Sequence, residues 1–214
     1  MCQQPFSQWL FLVSMFPLVM TSLGAPSVSG QEASIVGKWE SVARSYGGIG
    51  SSLEFHSDGT VSLTPGAMVD FTYRLDGTRL VMSVTDPGTG EVSENTVDVH
   101  ITGDSMIHSD PESGQEIRFG RLEGAKADTL PIVGTWSFKH YTGRTAFEVF
   151  TADGDVHLRV PFHTDGGTYT VSAETLTIVI EGRDPWQVRY AIDGAMLTLL
   201  SADGSREQYN RVPW

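Results

Sequence analysis

The segment Ile35-Val36-Gly37-Lys38-Trp39 decides the fold, because it returns 97 residues later as Ile132-Val133-Gly134-Thr135-Trp136. Self-similarity at a long period marks a duplicated structural unit. Further matches follow in the same order: Phe55-His56-Ser57-Asp58-Gly59 with Phe150-Thr151-Ala152-Asp153-Gly154, Tyr73 and Leu80 with Tyr169 and Leu176, Ile101-Thr102-Gly103 with Ile192-Asp193-Gly194, and Gly114, Phe119 and Arg121 with Gly204, Tyr209 and Arg211. The chain therefore consists of two modules, residues 31–124 and 131–214, joined by a short linker at 125–130.

Turn signals and period-two alternation indicate that both modules are built from strands. Val97, Val99 and Ile101 alternate with polar Asp98 and His100, as expected for a strand with one face in a core. Tight turns that need a positive φ are indicated by Asp58-Gly59, Asp76-Gly77, Asp153-Gly154 and Asp203-Gly204. In the first module the predicted strands lie near 37–45, 50–56, 60–64, 69–74, 79–84, 94–101, 105–109 and 115–121.

Short connections between successive strands predict an antiparallel up-and-down arrangement. An open sheet of this kind exposes edges that invite aggregation, so closure into a barrel is the economical solution. The predicted fold is all-β, with two tandem small antiparallel up-and-down β-barrels of about eight strands each, following an N-terminal signal segment.

The overall composition narrows the classes of partner. The formal net charge is -12, which disfavours binding to nucleic acid or to anionic membrane surfaces. The excess of negative charge is compatible with a cationic partner. The alternative is an acidic surface that contacts only solvent. The 23 glycines fit a turn-rich β protein.

The first 30 residues are predicted to be a signal peptide. Residues 6–23 are uncharged and mostly apolar, and no charged side chain occurs before Glu32. Cleavage is expected after Gly24 or Gly30, which makes the mature protein secreted or periplasmic. The absence of Lys or Arg before the apolar run leaves the alternative of an uncleaved anchor, the only predicted contact with a membrane. The single cysteine, Cys2, lies in this segment, so the mature chain would contain no disulfide.

A Gly-x-Trp motif in the first strand together with an Arg in the last resembles the lipocalin, or calycin-type, pattern. The motif residues are Gly37, Trp39 and Arg121 in the first module and Gly134, Trp136 and Arg211 in the second. Short bacterial lipocalin-like domains are the most similar members. The resemblance implies that each Trp plugs a barrel end beneath the Arg of its own module, and that a small hydrophobic molecule is a possible ligand.

Each module is shorter than a typical lipocalin, and its predicted interior side chains are mostly bulky. An eight-stranded barrel can be filled by its own side chains. Two functions therefore stay open. One is binding of a small apolar or amphipathic ligand, and the other is a non-enzymatic structural or protein-interaction role with filled barrels. The ligand-binding candidates are Tyr46 and Tyr141 in equivalent loops, and Trp186, which has no counterpart in the first module.

Catalytic and metal chemistry is not predicted, and no cofactor is expected. The histidines lack zinc-ligand spacing; they are His56, His100, His108, His140, His157 and His163. Asp104, Ser105 and His108 invite comparison with a catalytic triad. A hairpin turn explains this segment better, because the second module lacks the Ser and the His at the matching positions.

One strand breaks the alternation of apolar and polar residues. Ala146-Phe147-Glu148-Val149-Phe150 is apolar on both faces, unlike the matching Ser51-Ser52-Leu53-Glu54-Phe55. We expect Phe147 and Val149 to face outward and pack against the first module. The alternative is a β-bulge that resets the register.

The indoles of the repeated motif should be central to stability. Replacing Trp39 or Trp136 by alanine removes a large apolar side chain, and we expect a loss of about 3–5 kcal/mol if the ring is buried. The free energy of unfolding from denaturant titration measures this loss. A decrease below about 1 kcal/mol would contradict the proposed role of the indoles.

Overall fold

The computed structural model describes residues 34–45, 47–85, 89–122 and 130–213, and these residues form an all-β antiparallel fold. The all-β prediction is confirmed, and the described ranges contain no helix. Within them, no helix is long and apolar enough to cross a membrane. The predicted signal segment 1–30 and the linker residues 125–129 lie outside the described residues.

Fifteen strands follow one another within the described ranges. Those of the first module are β1 (Gly37–Ser41), β2 (Ile49–Phe55), β3 (Thr60–Asp76), β4 (Arg79–Thr85), β5 (Val92–Thr102), β6 (Ser105–Ser109) and β7 (Glu116–Arg121). Those of the second are β8 (Gly134–Lys139), β9 (Thr145–Phe150), β10 (Asp155–Pro161), β11 (Asp165–Ser172), β12 (Thr175–Ile180), β13 (Trp186–Asp193), β14 (Met196–Leu200) and β15 (Arg206–Val212).

Strand pairing closes two rings that share β3. One ring contains β1, β2, β3 and β11 to β15, and we call it the Trp39 ring. The other contains β3 to β10, and we call it the Trp136 ring. Closure of the Trp39 ring depends on the pairing of β2 with β3, and closure of the Trp136 ring on the pairing of β10 with β3.

The pairing differs from the sequential scheme predicted for separate modules, because each ring takes strands from both. β7 of the first module pairs with β8 of the second, and β15 pairs with β1. The Trp136 ring therefore joins the last strands of the first module to the first strands of the second. The Trp39 ring joins the first strands of the first module to the last strands of the second.

The physical reason for this exchange is the length of β3. The sequence predicts two strands at 60–64 and 69–74, but the chain runs extended through both as one strand of 17 residues. Its first part pairs with β2 and β11, and its later part with β10 and β4. A strand that does not turn back carries the chain from one ring into the other.

Gly66 explains why Pro65-Gly66 makes no turn here. It lies opposite Pro161 of β10. A Cβ added at Gly66 would lie 2.7 Å from the backbone oxygen of Val160, which is closer than side chains tolerate. The glycine therefore permits a close approach of two extended backbones.

Each ring has its own apolar core. The core of the Trp39 ring comprises Ile35, Trp39, Leu53, Phe55, Val61, Leu176, Ile178, Ile180, Val188, Leu197, Leu199 and Tyr209. The core of the Trp136 ring comprises Leu80, Val97, Val99, Met106, Phe119, Ile132, Trp136, Phe150 and Val156.

The stacking of Arg on Trp is present, but its partners are exchanged between modules. Arg211 lies 4.1 Å from the ring centroid of Trp39, and Arg121 lies 4.0 Å from that of Trp136. Pairing within each module, as the resemblance implied, is therefore wrong, because β7 and β15 border the opposite module. Both indoles are fully buried.

The glycine of each Gly-x-Trp motif leaves room for the guanidinium. Gly37 has φ +124°, and a Cβ there would lie 2.8 Å from Nη1 of Arg211. Gly134 has φ +133°, and its Cβ would lie 2.7 Å from Nη1 of Arg121. Both the backbone conformation and the stacked cation thus require glycine.

A disulfide cross-link distinguishes exchanged from sequential closure. Gly120 lies opposite Ser137, and a Cβ added at Gly120 would be 4.0 Å from Oγ of Ser137. With Cys2 replaced by serine, Gly120→Cys with Ser137→Cys should oxidise readily, because the geometry suits a disulfide. Electrophoresis of trypsin fragments without reductant detects the bond.

The control variant carries Gly120→Cys with Glu40→Cys. Closure within the first module would place these two residues opposite each other, whereas here Glu40 lies opposite Asn210. Efficient cross-linking of the control pair, with none of the first pair, would show that the rings are not exchanged.

Candidate functional site

Buried ionisable side chains mark two places in the described part of the chain: the joint between the rings and the interior of the Trp136 ring. At the joint, Arg159 of β10 binds Glu40 of β1 through Nε and Nη2, at 2.7 to 2.9 Å. Nη2 also lies 2.8 Å from Asp70. Nη1 donates to the backbone oxygens of Val69 and Leu158 at 3.2 and 2.9 Å.

These contacts occupy every N–H group of the guanidinium, which has five. Arg159 therefore has no donor left for an anionic ligand. Its contacts tie β1 of the Trp39 ring to β10 of the Trp136 ring, and this joint is structural.

Asp70 of β3 extends the joint. Its carboxylate accepts hydrogen bonds from Arg44 at 2.7 Å and from His157 at 2.8 Å, in addition to the contact with Arg159. Burial opposes ionisation of this carboxyl, but the hydrogen bond from His157 and the nearby arginines outweigh it and hold the pKa of Asp70 well below its usual range.

A cavity of about 190 Å³ lies beside this joint. Its lining includes Glu40, Ser52, Gly66, Phe147 and Arg159. Arg159 is saturated by protein groups and Glu40 is committed to it, so neither of these two lining residues is free to bind a ligand.

The register of β9 explains the unusual pattern of residues 146–150. Trp136 lies opposite Glu148, and Ser137 lies opposite Phe147. Phe147 therefore faces outward, where it lines the cavity beside Ser52 of the first module. The pairing with β8 and β10 is regular, so the alternative of a β-bulge is not observed.

The same register turns Glu148 into the Trp136 ring. Residues directly opposite each other on antiparallel strands share a face, and the Trp136 indole is in the core. Glu148 is 8% exposed, and its Oε2 has no hydrogen-bond partner among the described residues. Sequence reasoning did not single out Glu148 as a functional residue. Its apolar neighbours, Phe147 and Val149, were the signal that could have placed it in the interior.

His108 is a second ionisable group inside the same ring. It follows the core residue Met106 by two positions on β6, so both side chains face inward. His108 is 4% exposed, and its Nε2 is also without a partner in the described ranges. Its imidazole lies 4.4 Å from the ring of Phe119 and 6.3 Å from that of Phe150.

Phe150 is close to both polar groups, since its ring lies 6.3 Å from the imidazole of His108. Glu148 precedes Phe150 by two residues on the same face of β9, a separation of about 7 Å along a strand. Both groups are therefore in one region of the interior. Their mutual distance exceeds that of an ion pair, since no direct contact joins them in the described structure.

The duplicated ring gives an internal comparison for both positions. Leu53 lies opposite Trp39, as Glu148 lies opposite Trp136. Leu199 follows the core residue Leu197 by two positions, as His108 follows Met106. The Trp39 ring thus has leucine at both places where the Trp136 ring has an ionisable side chain.

The two rings also differ at their far ends, opposite the Arg–Trp stacks. There the Trp39 ring has polar side chains and the Trp136 ring has apolar ones. In the Trp39 ring, Ser41 and Glu207 lie there, and Glu207 accepts a hydrogen bond from Tyr209 at 2.6 Å. The Trp136 ring has half-buried Phe138 and 45% exposed Ile117 at the matching positions. We call the far end of the Trp136 ring, around Phe138 and Ile117, its mouth. This ring therefore has apolar side chains at its mouth and polar groups inside.

Burial favours the uncharged form of both interior groups and shifts their pKa values accordingly. It raises the pKa of Glu148 to about 7 and lowers the pKa of His108 to about 4. Near neutral pH, His108 is uncharged and Glu148 is poised between its two forms.

Of the three sequence-predicted ligand residues, the two that the structure describes, Tyr141 and Trp186, lie in different rings. Tyr46 lies outside the described residues. Tyr141 is 92% exposed in the loop between β8 and β9, at the far end of the Trp136 ring. Trp186 begins β13 and packs, partly buried, against the core of the Trp39 ring.

The triad-like residues do not form a catalytic arrangement. Ser105 is exposed at the turn between β5 and β6, whereas His108 faces the interior. Asp104 lies beside the Nε of Arg121 at 3.7 Å. Among the described residues, no cluster of three or more His, Cys, Asp or Glu side chains could hold a metal.

Comparisons with protein-family models, curated proteins and solved structures give no match for this chain. The geometry of the Trp136 ring therefore carries the functional conclusion.

Glu148 should make stability fall as the pH rises. Its folded pKa of about 7 lies above the ordinary 4.5, so its contribution is complete below pH 4.5 and is lost as the pH rises toward 7. The loss is about 3 kcal/mol by linkage. Glu148→Gln, which cannot ionise, should remove most of this fall when urea unfolding is compared at pH 5 and pH 8.

His108 has the opposite sign, because its contribution is lost as the pH falls from 6.5 toward 4. Only the difference between the variant and the parent is therefore informative. Glu54→Gln, at an exposed carboxylate of β2, is the matched control and should leave the pH dependence unchanged. Equal pH dependence in Glu148→Gln and the parent would show that Glu148 is not buried.

Proposed function

We propose that the chain is a secreted lipocalin-like protein with two small β-barrels, and that the Trp136 ring binds a small amphipathic molecule. The closed strand pairings, the buried indoles beneath stacked arginines and the apolar leader sequence support this assignment. The ligand would place its polar end beside Glu148 and His108, and its apolar part toward the mouth.

The difference between the two rings carries the proposal. A buried polar group without a partner costs roughly 1–3 kcal/mol. The Trp39 ring avoids this cost with Leu53 and Leu199 at the equivalent positions. The Trp136 ring retains it twice within one interior, at Glu148 and His108. A ligand head group that forms hydrogen bonds with these atoms would remove this cost, so the cost in the free protein becomes a gain on binding.

The mouth of the Trp136 ring supports the same proposal. Half-buried Phe138 and Met82 and exposed Ile117 offer an apolar surface at the far end. Their counterparts in the other ring are Ser41, the fully packed Ile178 and Glu207. An apolar entrance above buried polar groups suits a molecule with one polar and one apolar end.

The Trp39 ring favours the second function, a structural or protein-interaction role, for its own half of the chain. Its matching interior positions are leucines packed in the core, and Tyr209 and Glu207 bond each other at its far end. These contacts support an interior occupied by the side chains of the ring itself.

Calorimetric titration with 1-octanol, octylamine and octanoate tests ligand binding by the full chain. We expect at least one of these eight-carbon molecules to bind saturably, with one site per chain. Phe138→Ser copies the serine of the other ring and should weaken that binding at least tenfold, because the apolar mouth is lost.

Ser41→Ala in the Trp39 ring is the control and should leave the affinity unchanged. Absence of binding for all three molecules would contradict the proposed function. Binding that responds to the Ser41 variant and ignores the Phe138 variant would place the site in the wrong ring.

A further inference from the structure

We infer that the ligand of the Trp136 ring carries a protonated amine, which forms an ion pair with Glu148 and donates a second hydrogen bond to His108. This inference rests on the proposed function and names the chemical class of the ligand's polar end.

Glu148 has no cationic partner among the described residues. Its Oε2 has no partner in the described structure, although the side chain is almost completely buried. An ionised carboxylate is an acceptor only, so it needs a donor at that oxygen. A buried carboxylate paired with a cation avoids much of the penalty that an unpaired one carries.

The described cations near this ring are committed elsewhere. Arg121 stacks on the Trp136 indole, and its Nη1 donates to the backbone oxygen of Val133 at 2.8 Å. Its Nε lies 3.7 Å from Asp104 and has no hydrogen-bond partner among the described residues, but the stacking and the Nη1 contact hold the guanidinium on the indole. The hydroxyl of Tyr73, another partly buried group of this ring, donates to the backbone oxygen of Thr151 at 2.8 Å. The cation that suits Glu148 must therefore come with the ligand.

His108 supplies the second contact. Its low pKa, caused by burial, keeps the imidazole neutral near pH 7, and a neutral imidazole has one acceptor nitrogen. A primary ammonium group has three N–H donors, so it can serve both Glu148 and His108. The rings of Phe119, Phe150 and Trp136 line the same region, and aromatic faces attract cations.

Other head groups fit less well. A carboxylate would repel ionised Glu148 and would offer no donor. A hydroxyl can donate to one of the two atoms and can accept from protonated Glu148, but it carries no charge to pair with the ionised carboxylate. The pair of unpartnered groups thus selects for a cationic head with several N–H groups.

Proton balance gives a distinctive signature. At pH 6 most of Glu148 is protonated, and the ammonium can form the ion pair only when that proton leaves to the solvent. At pH 8 no release is needed. A primary alkyl amine stays protonated at both values, as a lysine side chain does. The other titratable groups of this interior are His108 and Tyr73, with Arg121 behind the indole.

The experiment titrates the full chain with octylamine, 1-octanol and octanoate at pH 6 and pH 8. We expect octylamine to bind at least tenfold more tightly than octanol at pH 8, and octanoate to bind most weakly. From pH 6 to pH 8 the affinity for octylamine should rise several-fold, with proton release at pH 6 detected by comparing buffers of different ionisation enthalpy.

Glu148→Gln keeps the shape of the side chain and removes its charge. It should reduce the affinity for octylamine to that for octanol, with octanol changing less than threefold. Retained octanol binding also shows that the variant is folded. His108→Leu should weaken octylamine binding several-fold and leave the pH dependence in place.

The outcomes separate this inference from the proposed function. If octanol or octanoate binds in the Trp136 ring and octylamine has no advantage, the amine is wrong and ligand binding stands. An advantage of octylamine that survives in Glu148→Gln also overturns the inference. If none of the three molecules binds, the proposed function itself fails.

Discussion

The close contact between two extended backbones at Gly66 and Pro161 is the constraint on which the rest of the structure depends. Here β3 lies against β10, with no space for a side chain at Gly66. β3 continues through the contact from one ring into the other, so the two rings share this strand. The buried ion pair of Arg159 and Glu40 then fixes the outer walls of the rings against each other.

Much of this fold could be predicted from local sequence signals, but the exchange could not. The Asp-Gly turns, the alternation in β5 and the Trp–Arg stacks all follow from short-range patterns. Both modules contain nearly the same motifs, so Arg121 is chemically as suited to Trp39 as to Trp136. The deciding factor is the straight passage through Pro65-Gly66, a segment whose composition is typical of a turn.

The candidate site was missed for a related reason. Glu148 lies between Phe147 and Val149, and a carboxylate between two apolar residues is normally assigned to the solvent face. Only the register with Trp136 reveals that the apolar pair faces outward. The comparison of Leu53 with Glu148 along the repeat was a second sequence signal. The duplication thus places Leu53, which packs in a core, at the position equivalent to Glu148, the residue on which the proposed binding rests.

The exchanged strands also set the order in which the chain can fold during its synthesis. The Trp136 ring ends with β10, so its strands are all present once residue 161 has been made. The Trp39 ring must wait for β15, because Trp39 lies opposite Arg211 near the end of the chain. Until then β1 lacks its second partner, β15, and contacts so distant in sequence form slowly. The ring with the unpartnered polar groups is thus complete first, and the Trp39 ring closes last.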